Sequence, residues 1–158
     1  MSIVVRGCHI GEGRPKVIVP IVETTESKIL ERAFEFSRFR IDCVEWRVDW
    51  FEQCMDAHSV VSCLQKLRVA LRDKLLLVTF RTKAEGGKVP LTHKEYLDFI
   101  NTVIDTDCAD LIDIEFFTAG DDIRELIDNA HSSGVAVVCS SHDFPVSYTH
   151  LRAHETDS

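Results

Sequence analysis

Apolar side chains recur at helical spacing in four stretches of the chain, and four short apolar or alternating runs separate and follow them. Lys28–Phe39 carries Ile29, Leu30, Ala33, Phe34 and Phe36 on one broad face. Ser59–Leu71 places Val60, Val61, Leu64, Leu67 and Leu71 on one side. Thr92-His93-Lys94-Glu95 has the form of a capping box and opens a third helix running to Ile104. Asp122-Ile123-Arg124-Glu125 opens a fourth, with Ile123, Leu126, Ile127 and Ala130 facing inward. Between and after them, Ile41–Asp49, Leu75–Arg81, Leu111–Phe116 and Val135–Ser141 read as strands, and Lys16–Val22 reads as the strand before the first helix. Upstream, Ile3–Arg6 is a further short strand-like run, and Gly11-Glu12-Gly13 is a turn signal. The pattern predicts that Ile3–Arg6 and Lys16–Val22 form a hairpin or strand pair.

Strict alternation of strand and helix implies a parallel sheet covered by helices. Repeats of this length suit a (β/α)8 barrel, of which about five units are present here. A five-stranded flavodoxin-like sheet is the rival. Strand chemistry favours the barrel. In Ile41–Asp49, Val44, Trp46 and Val48 share one face, whereas Glu45, Arg47 and Asp49 share the other. In Leu111–Phe116, Asp113 and Glu115 oppose Ile112, Ile114 and Phe116. An open doubly wound sheet is buried on both faces and reads as continuous apolar runs. A barrel gathers charged groups inside its upper rim. The expected fold is therefore a partial (β/α)8 TIM barrel of about five β/α units with an N-terminal β-hairpin.

The 158 residues and 45% apolar content suit a soluble folded domain. A net charge of −8 argues against nonspecific nucleic-acid binding. No apolar run approaches the ~18 residues of a membrane span, and no secretory signal is visible, so a cytoplasmic location is expected. The six cysteines form no CxxC pair and read as reduced, structural thiols, with Cys43 and Cys139 inside strands. Cys54, His58 and Cys63 imitate a metal spacing but fit an amphipathic helix and its entry loop better; no metal is expected.

Functional positions of a barrel lie at the C-terminal ends of its strands. Those ends supply Glu45 and Arg47, Arg81 and Glu85, Asp113 and Glu115, and His142 and Asp143. Arginine forks with a carboxylate and a histidine suit a polar, anionic or polyhydroxylated small molecule. Each residue also has a plainer reading. Glu45 and Arg47 can form an internal ion pair, and Arg81 can cap a strand. Glu85-Gly86-Gly87 can be a simple turn, and His142 a loop residue tied to the backbone.

Four segments carry a more specific signal: Val44-Glu45-Trp46-Arg47-Val48-Asp49, Thr79 to Gly87, Asp110 to Glu115, and Ser140-Ser141-His142-Asp143-Phe144. In this order and spacing they resemble the motifs of type I 3-dehydroquinate dehydratase, from about Arg6 to Phe144. The resemblance implies a (β/α)8 barrel whose N-terminal hairpin closes the floor. It implies a lyase of the shikimate pathway, serving aromatic amino acid biosynthesis, that converts 3-dehydroquinate to 3-dehydroshikimate and water. The chemistry proceeds through a lysine Schiff base without metal or organic cofactor. It further implies a homodimer for the intact enzyme. By motif, His142 resembles the general acid/base and Glu85 the carboxylate that orients it. Glu45, Arg47 and Arg81 resemble the residues that hold substrate hydroxyls, and Asp113 and Glu115 read as structural support.

The family's Schiff-base lysine lies on the sixth strand, beyond His142, and this sequence has no lysine after Lys94. The arginine, serine and glutamine that the family uses for the substrate carboxylate are also missing. The expectation is that residues 1–145 form the N-terminal part of a TIM-barrel dehydratase domain. Residues 146–158 read as a non-native tail, because Val146 to Thr156 is similar to one translated frame of a sequencing-library transposase adapter. On that reading the His150-x3-His154 spacing carries no meaning, and this chain by itself is inactive. Two other readings stand beside this one: a different Schiff-base barrel lyase or aldolase, and a non-catalytic five-stranded binding module. The Glu-Trp-Arg and Ser-His-Asp-Phe motifs favour the dehydratase.

Overall fold

A computed structural model describes residues 2–143. The expected boundary at residue 145 and the tail 146–158 lie outside the described residues. The element order is β1 (Ile3–Val5), β2 (Cys8–Ile10), β3 (Ile18–Ile21), α1 (Glu26–Phe36), β4 (Cys43–Arg47), α2 (Ala57–Leu71), β5 (Leu75–Thr79), α3 (His93–Asp105), β6 (Leu111–Glu115), α4 (Phe116–Ala119), α5 (Ile123–Ser132) and β7 (Ala136–Ser140).

Strands β3 to β7 form one parallel sheet in strictly sequential order, β3-β4-β5-β6-β7. That order decides between the two candidate architectures. A doubly wound sheet reverses direction at a switch point and places helices on both faces. Here there is no reversal, and the helices cover one face only. Ile29 and Ala33 of α1, Leu64 and Leu67 of α2, Tyr96 and Ile100 of α3, and Leu126 and Ala130 of α5 join a single buried cluster. Ile21, Val44, Trp46, Leu76, Val78, Ile112 and Ile114 meet them from the sheet. The five strands and their helices are part of a (β/α)8 barrel, with the helical layer outside.

The opposite face is divided along its length. At its N-terminal end, Cys43, Leu75, Leu77 and Leu111 form a second cluster, and Val5, Cys8 and Ile10 of the hairpin pack over it. This cluster is dry enough that burial pushes the Cys43 thiol up to about 12. Asp110 fixes the hairpin to the sheet by accepting from Arg6 Nε at 2.6 Å, Arg68 Nη1 at 2.5 Å and the Leu76 amide at 2.9 Å. The C-terminal end of the same face is polar and carries the candidate site.

The hairpin differs from the sequence expectation. Ile3–Val5 pairs antiparallel with Cys8–Ile10, and Lys16–Val22 contributes to the parallel sheet instead. Arg6 and Gly7 both adopt positive φ, 47° and 74°, as a tight two-residue hairpin turn requires. Three residues of Cys-His-Ile are too short to announce a strand, and Arg-Gly is an unusual turn pair. Cys139 lies within β7, as its strand-like run predicts, and is exposed there. The other strands and helices fall within a few residues of their expected limits. The capping box is present in full, with Thr92 Oγ1 accepting from the Glu95 amide and the Glu95 carboxylate accepting from the Thr92 amide.

Candidate active site

Period-two alternation puts Trp46 under the helices, and so points its neighbours Glu45 and Arg47 to the inner face. Glu45 Oε2 accepts from Thr79 Oγ1 on the adjacent strand at 2.7 Å. Arg47 does not pair with Glu45. Its Nε and Nη2 donate to Asp49 Oδ1 and Oδ2 at 2.8 and 2.9 Å, a bidentate fork. The single 3-10 turn Val48–Trp50 carries Asp49 back beneath the arginine, and the Asp49 side chain is fully enclosed. That hydrogen-bonded carboxylate raises the Arg47 guanidinium above its ordinary value.

Arg81, just past β5, is more than a strand cap. Its Nη1 faces Asp113 Oδ2 at 3.1 Å, Glu115 Oε2 at 2.9 Å and Ser140 Oγ at 3.1 Å, so it links β5, β6 and β7. Burial works to lower its basicity, but the Asp113 and Glu115 carboxylates outweigh that and hold it raised. Asp113 shows the complementary effect: burial pushes its carboxyl up, while Arg81 and Ser140 oppose the shift. Glu115 is fully buried and also accepts from the Thr82 amide, Thr82 Oγ1 and Thr118 Oγ1, at 3.0, 2.7 and 2.6 Å. One guanidinium nitrogen is thus anchored, and Nε and Nη2 have no hydrogen-bond partner among the described residues.

Glu85 closes the 3-10 turn Lys83–Glu85, and two glycines make that turn possible. Gly86 caps it at φ +96°, in the left-handed region. At Gly87 a Cβ would lie 1.7 Å from the Arg81 carbonyl oxygen, so only glycine fits. The Glu85 carboxylate is almost wholly buried, and Oε1 accepts the His142 backbone N–H at 2.9 Å. The same oxygen lies 3.1 Å from His142 Nδ1. An ionised carboxylate only accepts, so Nδ1 carries the hydrogen of that bond and Nε2 is the basic nitrogen of the neutral ring. The imidazole is more than one-third exposed at the open end of the sheet.

Glu45, Arg47, Arg81, Glu85 and His142 therefore share the C-terminal end of one parallel sheet. Comparison with known proteins shows the family. The model of the type I 3-dehydroquinase family matches residues 17–152. The chain belongs to the type I 3-dehydroquinase family. It is 43% identical over 140 residues to a 3-dehydroquinate dehydratase of Bacillus subtilis, a match covering 89% of this chain and 55% of the relative. It is 37% identical over 143 residues to that of Salmonella typhimurium, covering 90% and 57%. A crystal structure of a type I 3-dehydroquinate dehydratase from Clostridium difficile, described with a covalently modified comenic acid, superposes with a TM-score of 0.88 at 37% identity. That superposition covers 91% of this chain and 57% of the other. The chain spans about half the length of the curated relatives it matches.

Within this type I 3-dehydroquinase chain, sequence reasoning missed part of the site's support. Tyr96 reaches from α3 to accept the Glu115 amide at 2.8 Å through its hydroxyl, and Thr118 lies between Glu115 and Glu85. Neither has a sequence signal, because Tyr96 reads as a core residue and Thr118 lies in the short helix α4, which no periodic pattern announces. Cys54 and Cys63, from the metal-like spacing, are buried in the hydrophobic core. Among the described residues no group of three or more His, Cys, Asp or Glu side chains is placed to hold a metal ion. No helix among them is long and apolar enough to cross a membrane.

Proposed function

We propose that this chain carries the substrate-holding and proton-transfer part of a 3-dehydroquinate dehydratase. The Glu85–His142 pair is the observation that carries the reading: a buried carboxylate fixes the tautomer of an imidazole at the strand ends. In this reading His142 Nε2 removes the proton beside the substrate ketone and returns it to the departing hydroxyl, giving 3-dehydroshikimate and water. Arg47 Nη1, the outer edge of Arg81 and Glu45 hold the substrate's hydroxyl groups. Asp113 and Glu115 keep Arg81 charged and in place. No cofactor enters the scheme.

The imine that acidifies the carbon–hydrogen bond needs a lysine on the strand after His142, and the sequence has none beyond Lys94. In this reading a polypeptide of these 158 residues holds substrate without turning it over, because none of its residues is assigned the imine-forming role. The intact enzyme is a cytoplasmic homodimer acting on a small molecule and on neither nucleic acid nor membrane. The test is purified chain with 3-dehydroquinate, followed for 3-dehydroshikimate absorbance and for borohydride-trapped adduct by mass spectrometry. Ligand-dependent protection of the strand ends without turnover or adduct is expected. An adduct on Lys83 or Lys88, or measurable product, overturns the assignment of the electrophile. Absence of any protection overturns the substrate.

A further inference from the structure

The Asp49 carboxylate has four hydrogen-bond donors and no exposure. Oδ1 accepts from Arg47 Nε at 2.8 Å and from the Arg81 backbone amide at 3.2 Å. Oδ2 accepts from Arg47 Nη2 at 2.9 Å and from the Lys88 backbone amide at 3.2 Å. Each oxygen thus takes one guanidinium hydrogen and one amide of the loop that follows β5. Those two amides bracket the segment bearing Glu85. The Gly87 Cα lies so close that a Cβ there would come within 3.0 Å of Asp49 Oδ2.

We propose that Asp49 is a positioning residue that makes the Arg47 fork and the Glu85 loop one mechanical unit. Its bonding capacity is symmetrical and fully used, so neither side can move without unpairing a buried carboxylate. Loss of Arg47 leaves that charge enclosed and compensated only by two amides, which loosens the loop at a distance. Loss of Asp49 frees both the fork and the loop. Sequence proximity explains the Arg47 contact, but the two amides come from more than thirty residues away. The consequence for catalysis rests on the dehydratase reading; the mechanical linkage does not.

Hydrogen exchange followed by mass spectrometry on the 158-residue chain tests the linkage without substrate. Asp49→Asn turns one carboxylate oxygen into a donor and leaves the other a neutral acceptor, so the Arg81 and Lys88 amides should exchange about tenfold faster, the effect of losing or neutralising a charged hydrogen bond. The amides of β4 and β5 should keep their rates. Arg47→Met should accelerate the same two amides although Arg47 touches neither, and it decides the matter should Asp49→Asn fail to fold. Asp49→Glu, with the charge kept, should restore part of the protection. Unchanged Arg81 and Lys88 exchange in Arg47→Met, or a uniform acceleration across the sheet in either variant, overturns the proposal. Repeating the series with 3-dehydroquinate separates the two readings. Ligand protection in the wild type that falls about tenfold in affinity in Asp49→Asn joins the linkage to the site. No ligand protection in the wild type removes the substrate and leaves the linkage to the ligand-free comparison.

Discussion

Glu85 holds His142 through a single oxygen: Oε1 takes the backbone N–H at 2.9 Å and lies 3.1 Å from Nδ1 of the same residue. Ring and backbone are fixed together across 57 residues of sequence. A carboxylate in this position sets the rotamer, the tautomer and the loop conformation at once. An oxygen shared between two donors also concentrates the effect of any substitution there.

Glu85→Gln keeps the shape but replaces a charged acceptor by a neutral one and introduces a donor. The His142 amide should exchange about tenfold faster, and the chain should lose ~1–3 kcal/mol of stability. Residue-resolved hydrogen exchange and urea unfolding measure the two effects. An unaltered His142 amide would show that the loop is held from elsewhere.

Gly87→Ala forces a methyl group onto the Arg81 carbonyl oxygen, which belongs to backbone and cannot swing away. The loop must move, and Glu85 moves with it. The expected loss is ~3 kcal/mol, the upper end of ordinary overpacking. The Gly87 amide, bonded to the Thr82 carbonyl at 2.8 Å, should lose its protection from exchange. Urea denaturation of the variant checks the first expectation and hydrogen exchange the second.

Trp46 Nε1 is buried without a hydrogen-bond partner among the described residues. An unpaired donor in the core costs ~1–3 kcal/mol, and removing part of a packed ring costs a comparable amount. Trp46→Phe should therefore change stability by less than about 1 kcal/mol. Trp46→Ala, which deletes the packing against Phe51 as well, should cost ~3–5 kcal/mol. Equal losses in the two variants, read by chemical denaturation, would show that the indole N–H is satisfied in solution.

Asp42 accepts from both Arg14 Nη atoms and from the Val17 amide, and the Arg14 bond chiefly holds its carboxyl below the usual range. A carboxyl with a depressed folded value contributes stability that is complete above its unfolded value, about 3.9 for aspartate. That stability is lost as pH falls through the lower folded value. Asp113 acts in the opposite sense. Its raised folded value makes its ionisation costly at neutral pH, and acid relieves the cost. Asp42→Asn should therefore flatten the acid limb of the stability profile below about pH 4 and leave the neutral limb sloped as before. Thermal melts between pH 2.5 and 7 would show it.

The order of the five parallel strands and the four longer helices, the inner and outer faces of Ile41–Asp49, and the rim positions of Glu45, Arg47, Arg81, Glu85 and His142 were legible in the chain. Periodicity is a local property, and a strand end in a parallel barrel points to one place. Partners were not legible. The sequence allowed Glu45 to pair with Arg47, yet a 3-10 turn folds Asp49 back onto the arginine and Glu45 bonds to Thr79 instead. The two N-terminal strands were mispaired for a related reason. Hairpin register depends on the backbone of Arg6 and Gly7, and residue types there do not announce it.

Local alternation of apolar and polar residues thus determined which elements form and which side chains face the rim. Only the tertiary structure decided how the buried charges pair. A buried carboxylate can accept up to four bonds, and its donors come from whatever backbone and side chains the sheet register brings within 3 Å or so. Asp49 gathers the Arg81 and Lys88 amides, and Glu115 gathers Thr82, Thr118 and Arg81, because β4, β5 and β6 lie side by side. Those meetings depend on register across strands, which no single strand's sequence contains.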